Sequence, residues 1–418
     1  MIFINLVKKA INYCIPKQEN GILLMPHSGI YLGNKSSLKN YKSDNVLTFA
    51  NYLLHNSSPS EYIFYLASGN NDKIRLENEI CKELFPKQKI ISFNYYEQDK
   101  LKGWSKILNQ IYVYYLFCKS KYFFIASPNC FKFKVKKQKV ICLSYYVPFK
   151  NDFFEPKKGD IVTLDYHYLA KGIDYHASPS AIVSQINSVA TGLKITCFKN
   201  IGFCRNDNFF KSIDNKRIRS IFTSKVDYPV NKIVLYTPTH RDYEKSSFDI
   251  TRSIFGFDIC EERFESFLLA KNMIIICKLH PKQNKSIVNK NLPKGVINFL
   301  GSDDFGLTEL MQVSDMLITD YTSAYFDFLL LNKPVLFNFY DYDLYKEVRG
   351  FSYEPLEPFL AGEIFVDEES FYEKMNITLE KDAFSERRKY IVSILNKWGN
   401  GACERTYDFF KSIVANEK

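Results

Sequence analysis

The chain has ten cysteines but no Cys-x-x-Cys pair and no cysteine at ligand-like spacing from a histidine. That excludes a zinc finger and reads the thiols as buried, reduced groups of a cytoplasmic protein. No acidic or His/Cys cluster suggests a metal site, so none is expected. No stretch reaches the length of a membrane-spanning helix, because the apolar run Ile111–Cys118 is ended by Lys119 and Lys121. Lys8 and Lys9 lie inside the first apolar segment rather than before it, which argues against reading that segment as a secretory signal. There is no internal repeat, no low-complexity tract, no RNA-binding signature and no basic helix with heptads.

What is present bounds the rest. At 418 residues the chain is long for one core and comfortable for two domains, and 46% hydrophobic residues exclude a disordered protein. The formal net charge of +10 favours an anionic partner. A phosphate-rich substrate or an acidic membrane surface stands ahead of nucleic acid. The opening segment Met1–Tyr13 reads as a short amphipathic helix, for which packing on its own protein and lying on a membrane surface are both open.

Short apolar runs alternate with helical patterns. Strands are expected at 21–26, 61–66, 89–93, 122–126 and 140–143, with helices over 44–55 and 73–84. The first strand feeds a polar turn beginning at His27, the opening of a nucleotide-type α/β domain. Residues 131–139 alternate apolar and basic side chains, so an extended segment there shows a row of lysines: a solvated edge, or a polyanion contact. Residues 211–231 are charged and of mixed pattern, which suits a linker. A second domain opens with the strand Lys232–Tyr236 and continues with Met273–Cys277, and a final helical region is expected over 390–413. The resulting boundaries are an N-terminal helix at 1–16, an acceptor-side domain at 17–212, a nucleotide-binding domain at 230–390 and a C-terminal helical region at 391–418.

The most informative stretch is Asp315–Phe339: a short apolar strand, a polar turn, a helix and a second apolar strand. Both strands are too uniformly apolar for a surface, so they read as neighbours in a buried parallel sheet. The helix is expected to start at Thr322 or Ser323, where a hydroxyl caps the free N–H groups. Such an end at the carboxyl edge of a parallel strand suits a phosphate, with Asp320 and Asp327 flanking it. The plainer alternative is that Thr322 and Ser323 only cap and Asp327 is a solvated carboxylate. Two more strand-end loops, Thr237–Asp242 and Lys278–Pro281, are expected on the same edge. Thr239, Arg241, Lys278 and His280 in them suit a pyrophosphate.

These residues carry a resemblance. Asp-Tyr-Thr-Ser-Ala-x-Phe-Asp-Phe from Asp320, then Asn-Lys-Pro-Val-Leu-Phe from Asn332 and Tyr345–Phe351, resemble the C-terminal signature of the CDP-glycerol glycerophosphotransferase family. That family builds teichoic acids and capsule polymers. The resemblance implies a GT-B-like α/β fold, two Rossmann-type domains with parallel sheets facing across a cleft, the last helices returning to the first domain. It also implies transfer of glycerol phosphate or ribitol phosphate from a CDP-activated donor to a hydroxyl of a glycan or teichoic-acid acceptor, lipid-linked in one version. CMP leaves, no cofactor is required, and the enzyme works in the cytoplasm or on the inner membrane face. His280 and the helix start then serve the leaving phosphate, and Arg349 reaches the phosphate or anchors its loop.

The first half resembles the family more loosely. Val140–Asp152 stands where the family has Trp-His-Gly-Thr-Pro-Leu-Lys; Pro148 and Lys150 match, but Tyr145 and Tyr146 replace the His-Gly pair that supplies the proposed base. His27 and Tyr145 are the two substitutes for it. Gly202–Asp207 is similar to the family's Gly-Tyr-Pro-Arg-Asn-Asp, with Cys204 for its proline. Arg205, Asn206 and Asp207 are accordingly expected on the acceptor side, with Asp207 as a helix cap the alternative. A nucleotide-sugar transferase and a non-catalytic nucleotide- or polymer-binding member are the rival readings.

Overall fold

The computed structural model describes residues 2–27, 41–126, 134–144, 172–239, 241, 254–279, 292–301, 305–352 and 354–417. They form two compact units. The first takes the described residues of 2–144 and 172–210, and the chain returns to it at 398–417; the second takes those of 211–397.

In the first unit β1 (Gln18–Met25), β2 (Ile63–Ser68), β3 (Lys89–Asn94), β4 (Ser120–Ile125), β5 (Lys139–Cys142), β6 (Tyr175–Ser178) and β7 (Phe198–Asn200) form one sheet among the described residues. The order is β3-β2-β1-β4-β5-β6-β7, and every pair is parallel. In the second unit β8 (Lys232–Thr237), β9 (Met273–Cys277), β10 (Val296–Asn298), β11 (Met316–Thr319), β12 (Val335–Asn338) and β13 (Glu363–Phe365) pair in parallel as β10-β9-β8-β11-β12-β13. Each sheet grows outward from its first strand in one direction and then resumes on that strand's other side. This is the doubly wound order, with switch points between β1 and β4 and between β8 and β11.

The expected strands are β1 to β5, β8, β9, β11 and β12, together with β6, since Ile173–Ser180 reads as a strand running into a capped helix. They are legible because strands covered on both faces are continuous apolar runs; all five residues of β9 are buried. Helices begin where a side chain satisfies a first-turn N–H. Asp44 accepts from Leu47 at 2.8 Å for the helix Asn45–Asn56, and Ser180 accepts from Val183 at 3.2 Å for Ala181–Thr191.

Two expectations need correction, and one helix goes unread. Residues 211–231 are not a bare linker, because Asn215–Thr223 is a helix belonging to the second unit. Its Ile218 and Phe222 are buried one turn apart, and Arg219 pairs with Asp315 at 3.1 Å. The lysine row does not form among the described residues 134–139. Val135 and Gln138 turn inward there, the Gln138 amide donating to the carbonyls of Phe117 and Ser120, while Lys134 pairs with Asp174 and Lys139 with Glu417. The helix Gly103–Lys119 is absent from the sequence reading, which has only the apolar run Ile111–Cys118, because Trp104, Leu108 and Ile111 on its exposed face hide the amphipathic contrast.

The N-terminal helix Ile2–Cys14 is tied to the first unit: Asn12 is fully buried and donates to Gln138 at 2.8 Å. The helix Ala402–Asn416 sends Phe410 into the core of the same unit, between Tyr62, Tyr122 and Phe124. Burying a side chain of that size is worth about 1.5–3 kcal/mol. Among the described residues no helix is long and apolar enough to cross a membrane.

Candidate functional site

The second sheet brings four loops to one edge. β9, β8, β11 and β12 are neighbours, and the pairing of Tyr236 with Cys277 and of Thr237 with Thr319 sets their carboxyl ends level. Lys278 follows β9, Thr239 and Arg241 follow β8, Asp320–Ser323 follows β11, and Asp341 follows β12. This edge is the switch point of the fold.

Arg241 ties three of these loops together. Its Nη1 donates to Asp320 Oδ2 and to the Thr239 carbonyl, both at 2.7 Å. Its Nε and Nη2 donate to the two oxygens of Asp341 at 2.7 and 2.9 Å, a bidentate pair. Asp320 also accepts from the Thr239 backbone N–H at 2.9 Å and from its hydroxyl at 2.6 Å. The Arg241, Asp320 and Asp341 side chains are only 2%, 2% and 5% exposed. Rings of Tyr321, Tyr340 and Tyr345 lie 5.2–5.5 Å from the guanidinium carbon, and Tyr321 donates to Asp341 at 3.2 Å. Burial alone would lower the arginine pKa, but the two carboxylates more than offset it and push it up. Burial, with Asp341 beside it, likewise pushes the Tyr321 phenol up.

This changes the reading of two residues expected on the donor. Arg241 and Asp320 spend their hydrogen-bonding groups on each other and on the loops, because a buried charge must be paired to be tolerated. In this structure they are scaffold beneath the edge, and Thr239 is part of the same scaffold, 7% exposed.

Thr322 and Ser323 are half-buried at the edge itself. The Ala324 N–H donates to Thr322 Oγ1 at 3.3 Å, while Ser323 stands at the cap position without a side-chain cap bond. The helix, Ala324–Phe328, has five residues and passes into a tight turn, so local N–H groups matter there more than a helix dipole. Asp327 is buried rather than solvated. Lys278 is half-buried, its backbone N–H bonded to the Tyr236 carbonyl at 2.8 Å. Arg349 is half-buried at the end of the helix Tyr342–Val348. His280 lies outside the described residues.

In the first unit His27 follows β1 at the switch point, half-buried, and its backbone N–H donates to Asp44 Oδ2 at 3.0 Å. Asp44 is 3% exposed; burial pushes its carboxyl pKa up, against the N–H groups of His27 and Leu47. Sequence reading missed Asp44 as the partner of this loop. Tyr145 and Lys150 lie outside the described residues. Arg205 is half-buried, and its backbone N–H donates to Asn45 Oδ1 at 2.9 Å. Asn206 is fully buried.

Asp207 resolves toward its alternative. Its two oxygens accept from the Ala402 and Cys403 N–H groups, both at 2.8 Å, across nearly two hundred residues. The cap position of that helix is Gly401, which has no side chain, so Asp207 supplies the missing acceptor. Gly202 belongs to the same seat: its φ is +85°, and a Cβ there would run into the Trp398 carbonyl. Arg405 closes it by donating to the carbonyls of Ile201 and Trp398 at 3.1 and 2.9 Å. The motif Gly202–Asp207 thus seats the returning helix.

Asp341 was also missed. The signal for it is a carboxylate three residues past the end of β12, in the strand-end loop, as Asp320 stands directly behind β11. Among the described residues no group of three His, Cys, Asp or Glu side chains is placed to hold a metal ion.

Two doubly wound parallel sheets in one chain, with a polar edge at the switch point of the second, define the GT-B class. Residues 66–409 match the family described as CDP-Glycerol:Poly(glycerophosphate) glycerophosphotransferase, and the chain belongs to that family. The teichoic acid glycerol-phosphate primase of Bacillus subtilis (strain 168) is 27% identical over 249 residues, 58% of this chain and 58% of that protein. The teichoic acid poly(ribitol-phosphate) polymerase of Bacillus spizizenii is 30% identical over 166 residues, 38% of this chain and 25% of that protein. The chain therefore spans little more than half the length of the first relative and a quarter of the second. The solved structure of the wall teichoic acid polymerase TagF has a TM-score of 0.71 at 18% identity, covering 99% of this chain and 93% of that one; the two share the fold.

Proposed function

We propose that the chain is a transferase that moves glycerol phosphate or ribitol phosphate from a CDP-activated donor to a hydroxyl of a teichoic-acid or capsule-type acceptor. The acceptor oxygen attacks the phosphorus that carries the polyol, the bond from that phosphorus to the bridging oxygen breaks, and CMP leaves with the electron pair. A base on the acceptor side takes the hydroxyl proton. The observation that carries this reading is the convergence of the Lys278, Thr239 and Asp320–Ser323 loops on the switch-point edge, in a chain of this family.

With Arg241 neutralised inside the scaffold, the donor phosphates fall to Lys278, His280 and Arg349, to the Thr322 and Ser323 hydroxyls and to the N–H groups beside them. Asp327 stays behind them as support. Arg205 and Lys150 serve the acceptor, and the base is His27 or Tyr145. No cofactor or metal is needed, since positioning and charge stabilisation carry phosphoryl transfer.

The working place is the cytoplasm, with peripheral contact to a membrane that holds a lipid-linked acceptor. The exposed Leu6, Ile11, Trp104, Leu108 and Ile111 support that contact; they lie on the N-terminal helix and on the helix Gly103–Lys119, where Tyr114 donates to the Lys8 carbonyl.

The test is mass spectrometry of products formed in EDTA from CDP-glycerol, CDP-ribitol and common nucleotide sugars with candidate acceptors. The expected result is a polyol-phosphate adduct with CMP. A glycosyl product points to a nucleotide-sugar transferase, and donor binding with no product points to a non-catalytic member.

A further inference from the structure

Besides the direct bonds from the Thr239 N–H and hydroxyl to Asp320, the β8 and β11 loops are fastened through a residue that lies on neither. Asp341 follows β12, yet its carboxylate takes two of the three guanidinium nitrogens of Arg241. The third, Nη1, reaches Asp320 and the Thr239 carbonyl. The orientation of that guanidinium therefore adds to the direct Thr239–Asp320 bonds in fixing where these two residues sit, and Asp320 is the residue from which the chain runs into Thr322 and Ser323. Tyrosine rings wall the group in, so water does not replace a lost partner.

We propose that Asp341 is a positioning residue of the donor site: acting through Arg241, it holds the loop after β8 against the loop after β11. This rests on the reading that those loops bind the CDP donor. A carboxylate is required because both of its oxygens accept from Arg241. Asn in its place offers one oxygen and turns an amide N–H toward a guanidinium N–H, so one bond becomes a repulsion and the arginine is free to swing. Displacing phosphate-binding groups by about 1 Å costs on the order of a hundredfold in rate.

The experiment measures wild type, Asp341→Asn, Arg241→Gln and the double variant well below their melting temperatures. CDP-glycerol binding is read by calorimetry, and KM for donor and acceptor by steady-state kinetics. Asp341→Asn is expected to raise the donor KM about tenfold and lower kcat/KM on the order of a hundredfold. Acceptor KM should change less than about twofold, and the double variant should be no worse than Arg241→Gln alone. A Tm loss with unchanged kinetic constants overturns the proposal, as do additive effects of the two substitutions or a shift in acceptor KM instead. If wild type itself fails to bind CDP-glycerol, the donor reading falls and this proposal with it; equal binding by wild type and Asp341→Asn removes the positioning role alone. Should Asp341→Asn not fold, Tyr321→Phe deletes only the hydroxyl that donates to Asp341 at 3.2 Å. It is expected to raise the donor KM about threefold, and an unchanged donor KM overturns the proposal.

Discussion

Replacing Asp207 separates a cap from an acceptor-binding residue. Its carboxylate satisfies the N–H groups of Ala402 and Cys403, residues 0% and 2% exposed, so neither group finds water when the side chain is cut. Loss of an ordinary cap costs about 0.5–2 kcal/mol, and leaving a buried donor unsatisfied costs about 1–3 kcal/mol. With two donors orphaned at a helix start, Asp207→Ala should cost about 3 kcal/mol. Asp207→Asn keeps one acceptor oxygen and should cost about half of that.

The loss is local in the first instance, because the helix Ala402–Asn416 is the element released and a chain of two units does not melt as one two-state body. Hydrogen exchange read peptide by peptide is the suitable assay. About 3 kcal/mol lowers protection of the 402–416 amides on the order of a hundredfold for Ala, and about tenfold for Asn. Acceptor KM, measured in the cold where the helix is docked, should stay within about twofold of wild type. Unchanged protection combined with a raised acceptor KM refutes the cap and returns Asp207 to the acceptor side.

His176 is buried with Nδ1 against the Ala177 carbonyl, and burial lowers its pKa from 6.5 to about 4. Between those values only the unfolded chain takes up the proton, so stability is full above pH 6.5 and falls as pH drops toward 4, by roughly 3 kcal/mol. In the His176→Phe variant, denaturant midpoints should lose this part of the slope; an identical slope excludes His176 as its source. His280→Ala should abolish transfer with little change in Tm, and near-normal turnover, or loss only by unfolding, removes it from the donor phosphate. His27→Ala should lower turnover roughly a hundredfold with donor affinity nearly unchanged, while Tyr145→Phe has a small effect. The opposite pattern hands the base to Tyr145.

The sheet was legible because buried parallel strands write themselves as apolar runs, and β9 and β11 could be taken almost directly from Met273–Cys277 and Met316–Thr319. The strand-end residues could be named for the same reason. What could not be read was which of them point inward. An arginine behind a strand looks the same whether it faces a phosphate or two carboxylates, and its deciding partner, Asp341, lies a hundred residues away. The Asp207 bond spans a longer interval still, and the cap position of that helix is Gly401, which has no side chain to signal a partner. Motif resemblance fixed residue types at these positions, whereas burial divided them into scaffold and edge.

That division bears on the charge a donor meets. Arg241 faces two carboxylates in a space only a few per cent exposed, so the scaffold carries a net negative charge directly behind the loops. A pyrophosphate cannot be drawn there by Arg241. Its attraction must come from groups nearer the surface, and among those expected from the sequence the half-buried cations are Lys278 and Arg349. A buried negative layer beneath a cationic edge also gives a reason for the loops to be pinned so tightly. At an effective dielectric of about 20, unit charges 4 Å apart interact by about 4 kcal/mol, so a small inward slip of a bound phosphate toward Asp320 or Asp341 is strongly opposed. If the proposed donor site holds, the rigidity of the Asp320–Arg241–Asp341 chain sets the depth at which its phosphate comes to rest, where the hydroxyls of Thr322 and Ser323 would meet it.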